Sequence, residues 1–181
     1  MKKNLIVAGA MVFVLIGVTR NANATAPTSD GSLGVTATID GSINLLFNSD
    51  ASGVTLTGTG TAAATLPYGT VQMYGGSVPT NVTRTPNSTT SFSVATPFDV
   101  HVDKANTTSS NYTLTATLSA DETGINAWLI NAVNITDGTP ATVTAVGTYG
   151  SNASHTLTVT IPATNTTGSI SRSIAFTATA N

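Results

Sequence analysis

The chain has no cysteine, one tryptophan and two histidines, and its six Lys plus Arg and eight Asp plus Glu make up only 8% of 181 residues. Without Cys there is no disulfide framework, thiol nucleophile, lipid-modified thiol or Cys-ligated metal. Six cations are too few for the basic patch that nucleic-acid binding requires. Scarce charge also removes the ion pairs and the Glu, Lys and Arg positions on which surface helices depend. A formal net charge of −2 and a mean hydropathy of +0.20 argue against disorder through self-repulsion. The local signatures of catalysis are missing too: there is no Gly-x-Ser-x-Gly elbow, His-Glu-x-x-His pair, phosphate loop or dinucleotide fingerprint. With His101, His155 and the single Glu122 left to build a site, the reading is of a protein that is not an enzyme and takes no cofactor.

What is present begins with an address. Met1-Lys2-Lys3-Asn4 is a short positive start, residues 5–18 are apolar, and Ala22-Asn23-Ala24 offers small residues around a cleavage site. This is the three-part form of a bacterial-style secretory signal. The apolar run is too short for a spanning helix, which needs ~20 residues, and Arg20 closes it. Residues 1–24 are therefore expected to be a cleaved signal peptide and residues 25–181 a single domain with no membrane span. The expected location is the periplasm, cell surface or extracellular space. Removing 24 residues from 181 leaves 157, with Arg84, Lys104 and Arg172 as the only cations against eight acids. Such an acidic surface has no attraction for DNA or anionic lipid.

Threonine fills 35 of those 157 positions and alternates with apolar residues, the pattern of half-buried strands. The alternation is plain at 33–39, 98–103, 112–118, 157–161 and 170–180. Further strands are expected at 43–47, 54–59, 70–74, 92–95, 128–131 and 143–147, and 121–128 has room for one helical turn at most. Turn signals separate them at Asp40-Gly41, Gly75-Gly76, Asp137-Gly138, Gly150-Ser151 and Thr167-Gly168. Residues 78–90, with Pro79 and Pro86, read as an exposed loop. About nine to eleven short strands at this spacing predict an all-β fold, an immunoglobulin-like antiparallel β-sandwich with Greek-key connections. An up-and-down barrel is the alternative.

The best polar constellation is Asp99-x-His101-x-Asp103, whose side chains share one face of a strand at about 6.5–7 Å spacing. Two carboxylates and an imidazole are metal-ligand types, which makes Asp99, His101 and Asp103 candidates for a divalent ion. The simpler account is the wet face of a strand whose other face is Phe98, Val100 and Val102. Trp128 sits in an apolar run and reads as core, whereas Tyr68, Tyr74 and Tyr149 lie at bends. Seven Asn-x-Ser/Thr triplets, at Asn81, Asn87, Asn106, Asn111, Asn134, Asn152 and Asn165, follow from composition.

The two ends of the mature chain complete the reading. Residues 25–32, expected to be a flexible leader, run into Leu33, Val35, Ala37 and Ile39, and the C-terminal stretch carries Ile170, Ile174, Phe176, Ala178 and Ala180 on one side. These ends resemble those of bacterial chaperone–usher fimbrial subunits and their spore-coat-U-like relatives. The resemblance implies an incomplete immunoglobulin-like fold, with a groove beside the C-terminal strand that takes a strand from elsewhere. A periplasmic chaperone would fill it first and the N-terminal strand of the next subunit later. It implies that Leu33, Val35, Ala37 and Ile39, within residues 25–39, are donor knobs, and that Ile170, Ile174, Phe176 and Ala178 line the acceptor groove. The implied partners are further copies or homologous subunits, and the implied function is a fimbrial, pilus-like or matrix subunit at the cell surface. The alternative is a secreted, non-catalytic binding module, an adhesin for glycans or for another surface protein.

Overall fold

A computed structural model of the chain describes residues 34–121, 124–165 and 168–181. The chain divides into two units, residues 1–37 and 38–181. Residues 1–24, read as a signal peptide, and Leu33 lie outside the described residues. Of the first unit only 34–37 are described, and they are exposed and without regular structure.

The second unit is all-β. Among the described residues its nine strands are β1 (Ser42–Asn48), β2 (Thr83–Pro86), β3 (Ser91–Ala105), β4 (Tyr112–Leu118), β5 (Ala127–Ile130), β6 (Val133–Asn134), β7 (Ala141–Gly147), β8 (Asn152–Pro162) and β9 (Ile174–Ala180). They form two antiparallel sheets, and the described residues contain no helix. The larger sheet runs β1-β3-β8-β5-β6, with β2 also on β3, and the smaller runs β7-β4-β9. Accordingly, no helix among these residues is long and apolar enough to cross a membrane.

An inner strand of each sheet follows directly from its alternation. On β3, Phe92, Val94, Thr96, Phe98, Val100 and Val102 turn inward, while Ser93, Ala95, Asp99, His101 and Asp103 turn outward. On β4, Tyr112, Leu114, Ala116 and Leu118 are buried and Thr113, Thr115 and Thr117 face out. Leu157, Val159 and Ile161 of β8 with Trp128 and Ile130 of β5 complete the large sheet's inner face. Burying such side chains contributes roughly 1.5–3 kcal/mol each, and this is what drives the two faces together.

Several expectations change in the structure. The strands expected at 92–95 and 98–103 are one strand of 15 residues, β3, running straight through Pro97. Proline is tolerated because β2 pairs with β3 only as far as Ala95 and β1 only from Asp99, so Pro97 falls in a gap that asks for no ladder amide. The gap is closed by other means. The Val54 N–H donates to Thr96 Oγ1 at 3.0 Å, that hydroxyl donates to the Asn81 carbonyl at 2.8 Å, and Asn81 Nδ2 donates to the Gly53 carbonyl at 2.8 Å. Gly53 lies so close that a Cβ on it would stand 2.0 Å from the Pro97 carbonyl oxygen.

The strand expected over 33–39 is absent across 34–39, which has no ladder partner among the described residues. Those expected at 54–59 and 70–74 are irregular: the first makes one bridge, Thr57–Thr65, and the second makes none among the described residues. Gly58 and Gly60, both in the left-handed region at φ 81° and 79°, turn the chain before a ladder can form. The loop read at 78–90 contains the short strand β2, and the strand read over 170–180 begins its ladder only at Ile174.

Candidate functional site

Three strands cannot cover the inner face of a six-stranded sheet, and beyond them residues 62–73 help to bury it, leaving a cleft between that segment and β9. Beside β9 the sandwich opens into a cleft of about 1230 Å³. Its floor is Phe92, Val94 and Phe98 from β3, Leu157, Val159 and Ile161 from β8, and Trp128 from β5. One wall is residues 168–173 with Ile174 and Phe176 of β9, and the opposite wall is residues 62–73. At one end Phe176 meets Phe47 edge-on, with ring centres 5.1 Å apart, and Phe98 at 6.0 Å. Aromatic pairs at these separations add about 0.5–1.5 kcal/mol each beyond burial, so this end of the cleft is firmly built.

The edge of the cleft is as informative as its lining. β9 pairs with β4 in unbroken register, from Tyr112–Ala180 to Leu118–Ile174. Its other edge carries no strand among the described residues. Open backbone donors and acceptors beside an apolar cleft form a template for an added strand.

Of the C-terminal residues assigned to a groove, Ile170, Ile174 and Phe176 line the cleft, whereas Ala178 packs half-buried on the core beyond it. Ile170 is 38% exposed. Of the donor residues, Val35 is 83% and Ile39 72% exposed, and Ala37 is exposed between them. The wall at 62–73 was not legible as part of a site. Its signal was the inward alternation of Ala64, Leu66 and Tyr68, which reads equally as loop because Pro67 and Gly69 interrupt it. Tyr68 turns into the cleft and its hydroxyl donates to the Leu157 carbonyl at 2.6 Å, with burial raising the phenol above its usual pKa. Tyr149 packs on Tyr112, whereas Tyr74 remains exposed. The indole N–H of Trp128 finds no acceptor among the described residues.

Asp99, His101 and Asp103 stand on the outer face of β3, away from the cleft, inside a hydrogen-bonded network. Asn152 is its hub, accepting from Asn48 Nδ2 at 3.0 Å, meeting His101 Nδ1 at 2.9 Å and donating to Asp99 Oδ2 at 3.1 Å. His101 Nε2 lies 3.0 Å from Asp103 Oδ1. Desolvation, with the nearby charge of Asp50, holds Asp99 above its ordinary pKa. The hydroxyl and backbone N–H of Ser52 and the hydroxyl of Ser154 hold Asp50 below its own. Among the described residues no three His, Cys, Asp or Glu side chains converge as a metal ion would need.

His155 is the one histidine inside. Its Nδ1–H donates to the Ala153 carbonyl at 2.8 Å, and Nε2 accepts from the Thr144 hydroxyl at 2.9 Å. Phe98 covers its ring at 5.9 Å. Both nitrogens are satisfied in the neutral form, which burial favours by lowering its pKa, and the Thr144 hydrogen bond fastens β8 to β7.

Compared with protein-family models, curated proteins and solved structures, the chain matches none.

Proposed function

We propose that this protein is an exported, non-catalytic structural subunit of a surface fibre or matrix, and that its copies join by β-strand addition. The donor is the N-terminal segment carrying Leu33, Val35, Ala37 and Ile39. The acceptor is the cleft beside β9. In this reading the sandwich is an immunoglobulin-like Greek key with one strand missing, as in the chaperone–usher subunits that the chain ends resemble. The connections from β3 to β4, β6 to β7, β7 to β8 and β8 to β9 all cross between the sheets, which favours that topology.

The observation that carries the reading is complementarity between two parts of one chain. The described part of the donor, residues 34–39, pairs with nothing described and leaves Val35 and Ile39 exposed. Apolar side chains two residues apart point the same way on a strand, as pockets along a groove require. The cleft offers an apolar floor and an open strand edge. A strand seated beside β9 would bury Val35 and Ile39 and pair the open edge of β9 at once. A periplasmic chaperone would protect the same cleft during export.

Electron microscopy of producing cells, labelled with antibody to residues 38–181, tests this directly. Label running along filaments or a continuous matrix is expected, and deletion of residues 25–39 is expected to leave a folded monomer that cannot join it. A monodisperse protein in the medium, with no labelled assembly, would overturn the reading in favour of a secreted binding module.

A further inference from the structure

The wall facing β9 is itself strand-like. Ala64, Leu66 and Tyr68, then Val71 and Met73, pack toward the core, while Thr65, Pro67, Thr70 and Gln72 face out. That is the side-chain pattern of a strand laid in the cleft, yet its backbone builds no ladder there. Pro67 has no N–H, and Gly69 at φ 71° breaks the extended run. The ends of the segment are tied down elsewhere. Thr65 exchanges backbone hydrogen bonds of 2.8 and 3.0 Å with Thr57, and Arg84 Nη1 donates to the carbonyls of Gln72 at 2.9 Å and Gly75 at 2.7 Å. Between these ties the one polar anchor is Tyr68, through its hydrogen bond to the Leu157 carbonyl on the cleft floor.

We propose that residues 66–71 are a built-in placeholder, anchored by Tyr68, which shields the apolar cleft until the donor strand of another copy displaces it. The inference rests on the strand-addition reading above and adds to it a self-occupied state. Phe92, Val94 and Trp128 beneath the placeholder are buried, yet among the described residues the outer edge of β9 stays unpaired. An incoming donor supplies comparable apolar contacts and adds a backbone ladder along that edge, so the exchange runs toward assembly. The Tyr68 hydrogen bond opposes the exchange and sets part of its barrier. Because both ends of the segment stay tied, it can swing out without unfolding the sandwich.

The test uses the protein from producing cells, dissociated in guanidinium and refolded at high dilution, with a synthetic peptide of residues 33–41 as the probe. Two quantities are read: peptide affinity, from the emission of the single tryptophan Trp128 in the floor, and nitration of Tyr68 by tetranitromethane, mapped by mass spectrometry. Tyr68 is expected to resist nitration in the free protein and to react once peptide is bound. Tyr68→Phe keeps the ring and loses the anchor, and is expected to bind peptide roughly three- to ten-fold tighter, the factor that one neutral hydrogen bond carries. Tyr68→Ala is expected to bind tighter still, and should it fail to fold, Tyr68→Phe decides alone. Peptide binding that leaves Tyr68 protected, or that is no tighter in the variants, would overturn the placeholder while strand addition stands. If peptide binds neither the protein nor its variants, strand addition falls and the placeholder falls with it.

Discussion

Among the described residues Thr96 and His155 are the two buried polar residues of the core, and each is buried with its hydrogen bonds satisfied. Thr96→Val keeps the shape but leaves the Val54 N–H and the Asn81 carbonyl without their partner. A loss of about 1–3 kcal/mol is expected, read as a lower denaturation midpoint in urea, because a buried group left unpaired costs its full desolvation. His155 makes stability depend on pH. Its folded pKa lies below the ordinary 6.5, so the unfolded chain binds the proton more readily. The stability it contributes is complete above pH 6.5 and is lost as pH falls toward the folded value. Thermal midpoints measured from pH 7.5 downward should therefore drop as pH falls below 6.5, and His155→Gln should flatten that first drop. The outer-face carboxylate Asp50, also lowered, adds its loss only below its ordinary 3.8.

Among the elements, β9 and segment 34–39 carry the functional argument. Phe176→Ala removes the half-buried ring that bridges Phe47 and Phe98, and a loss of about 1–3 kcal/mol is expected. It would therefore report on stability and assembly together. Val35→Asp with Ile39→Asp separates them, because both side chains are exposed. The double variant is expected to melt within about 0.5 kcal/mol of the parent as a monomer. Its incorporation into polymer, followed by light scattering or sedimentation, should fall at least ten-fold, since a carboxylate cannot be buried unpaired in an apolar cleft. Equal incorporation of variant and parent would remove this segment as the donor. The same element scale shows why sequence reading missed a wall of the site. Residues 64–68 alternate like a strand, but Pro67 and Gly69 deny them a ladder, and only the packed structure reveals that they line a cleft.

At the scale of the molecule, a six-stranded sheet faces a three-stranded one, with no disulfide to hold them. Stability then rests on the packed core and, in the strand-addition reading, also on the strand that would join β9. Adding a peptide of residues 33–41 to the monomer should raise the thermal midpoint with peptide concentration. At a hundred times its dissociation constant the gain is about 2.7 kcal/mol, because ligand binding to the folded state alone stabilises it by mass action. A midpoint indifferent to peptide would mean that the cleft is complete as it stands.

The sequence by itself determined the all-β class, the inward and outward faces of β3, β4 and β8, and the poverty of catalytic groups. These properties are local: period-two alternation sorts side chains whatever the strand's neighbour, and composition needs no fold at all. The placement of Ile174 and Phe176 on one face of β9 was legible for the same reason. Tertiary structure alone decided what pairs with what. Asn48 and Asn152 meet across 104 positions, Tyr68 reaches Leu157 across 89, and β3 tolerates Pro97 only because two different strands stop on either side of it. Ladder hydrogen bonds join residues far apart in the chain, and local alternation carries no record of the partner. The unequal sheets, and therefore the cleft between them, exist only once those partners have been chosen.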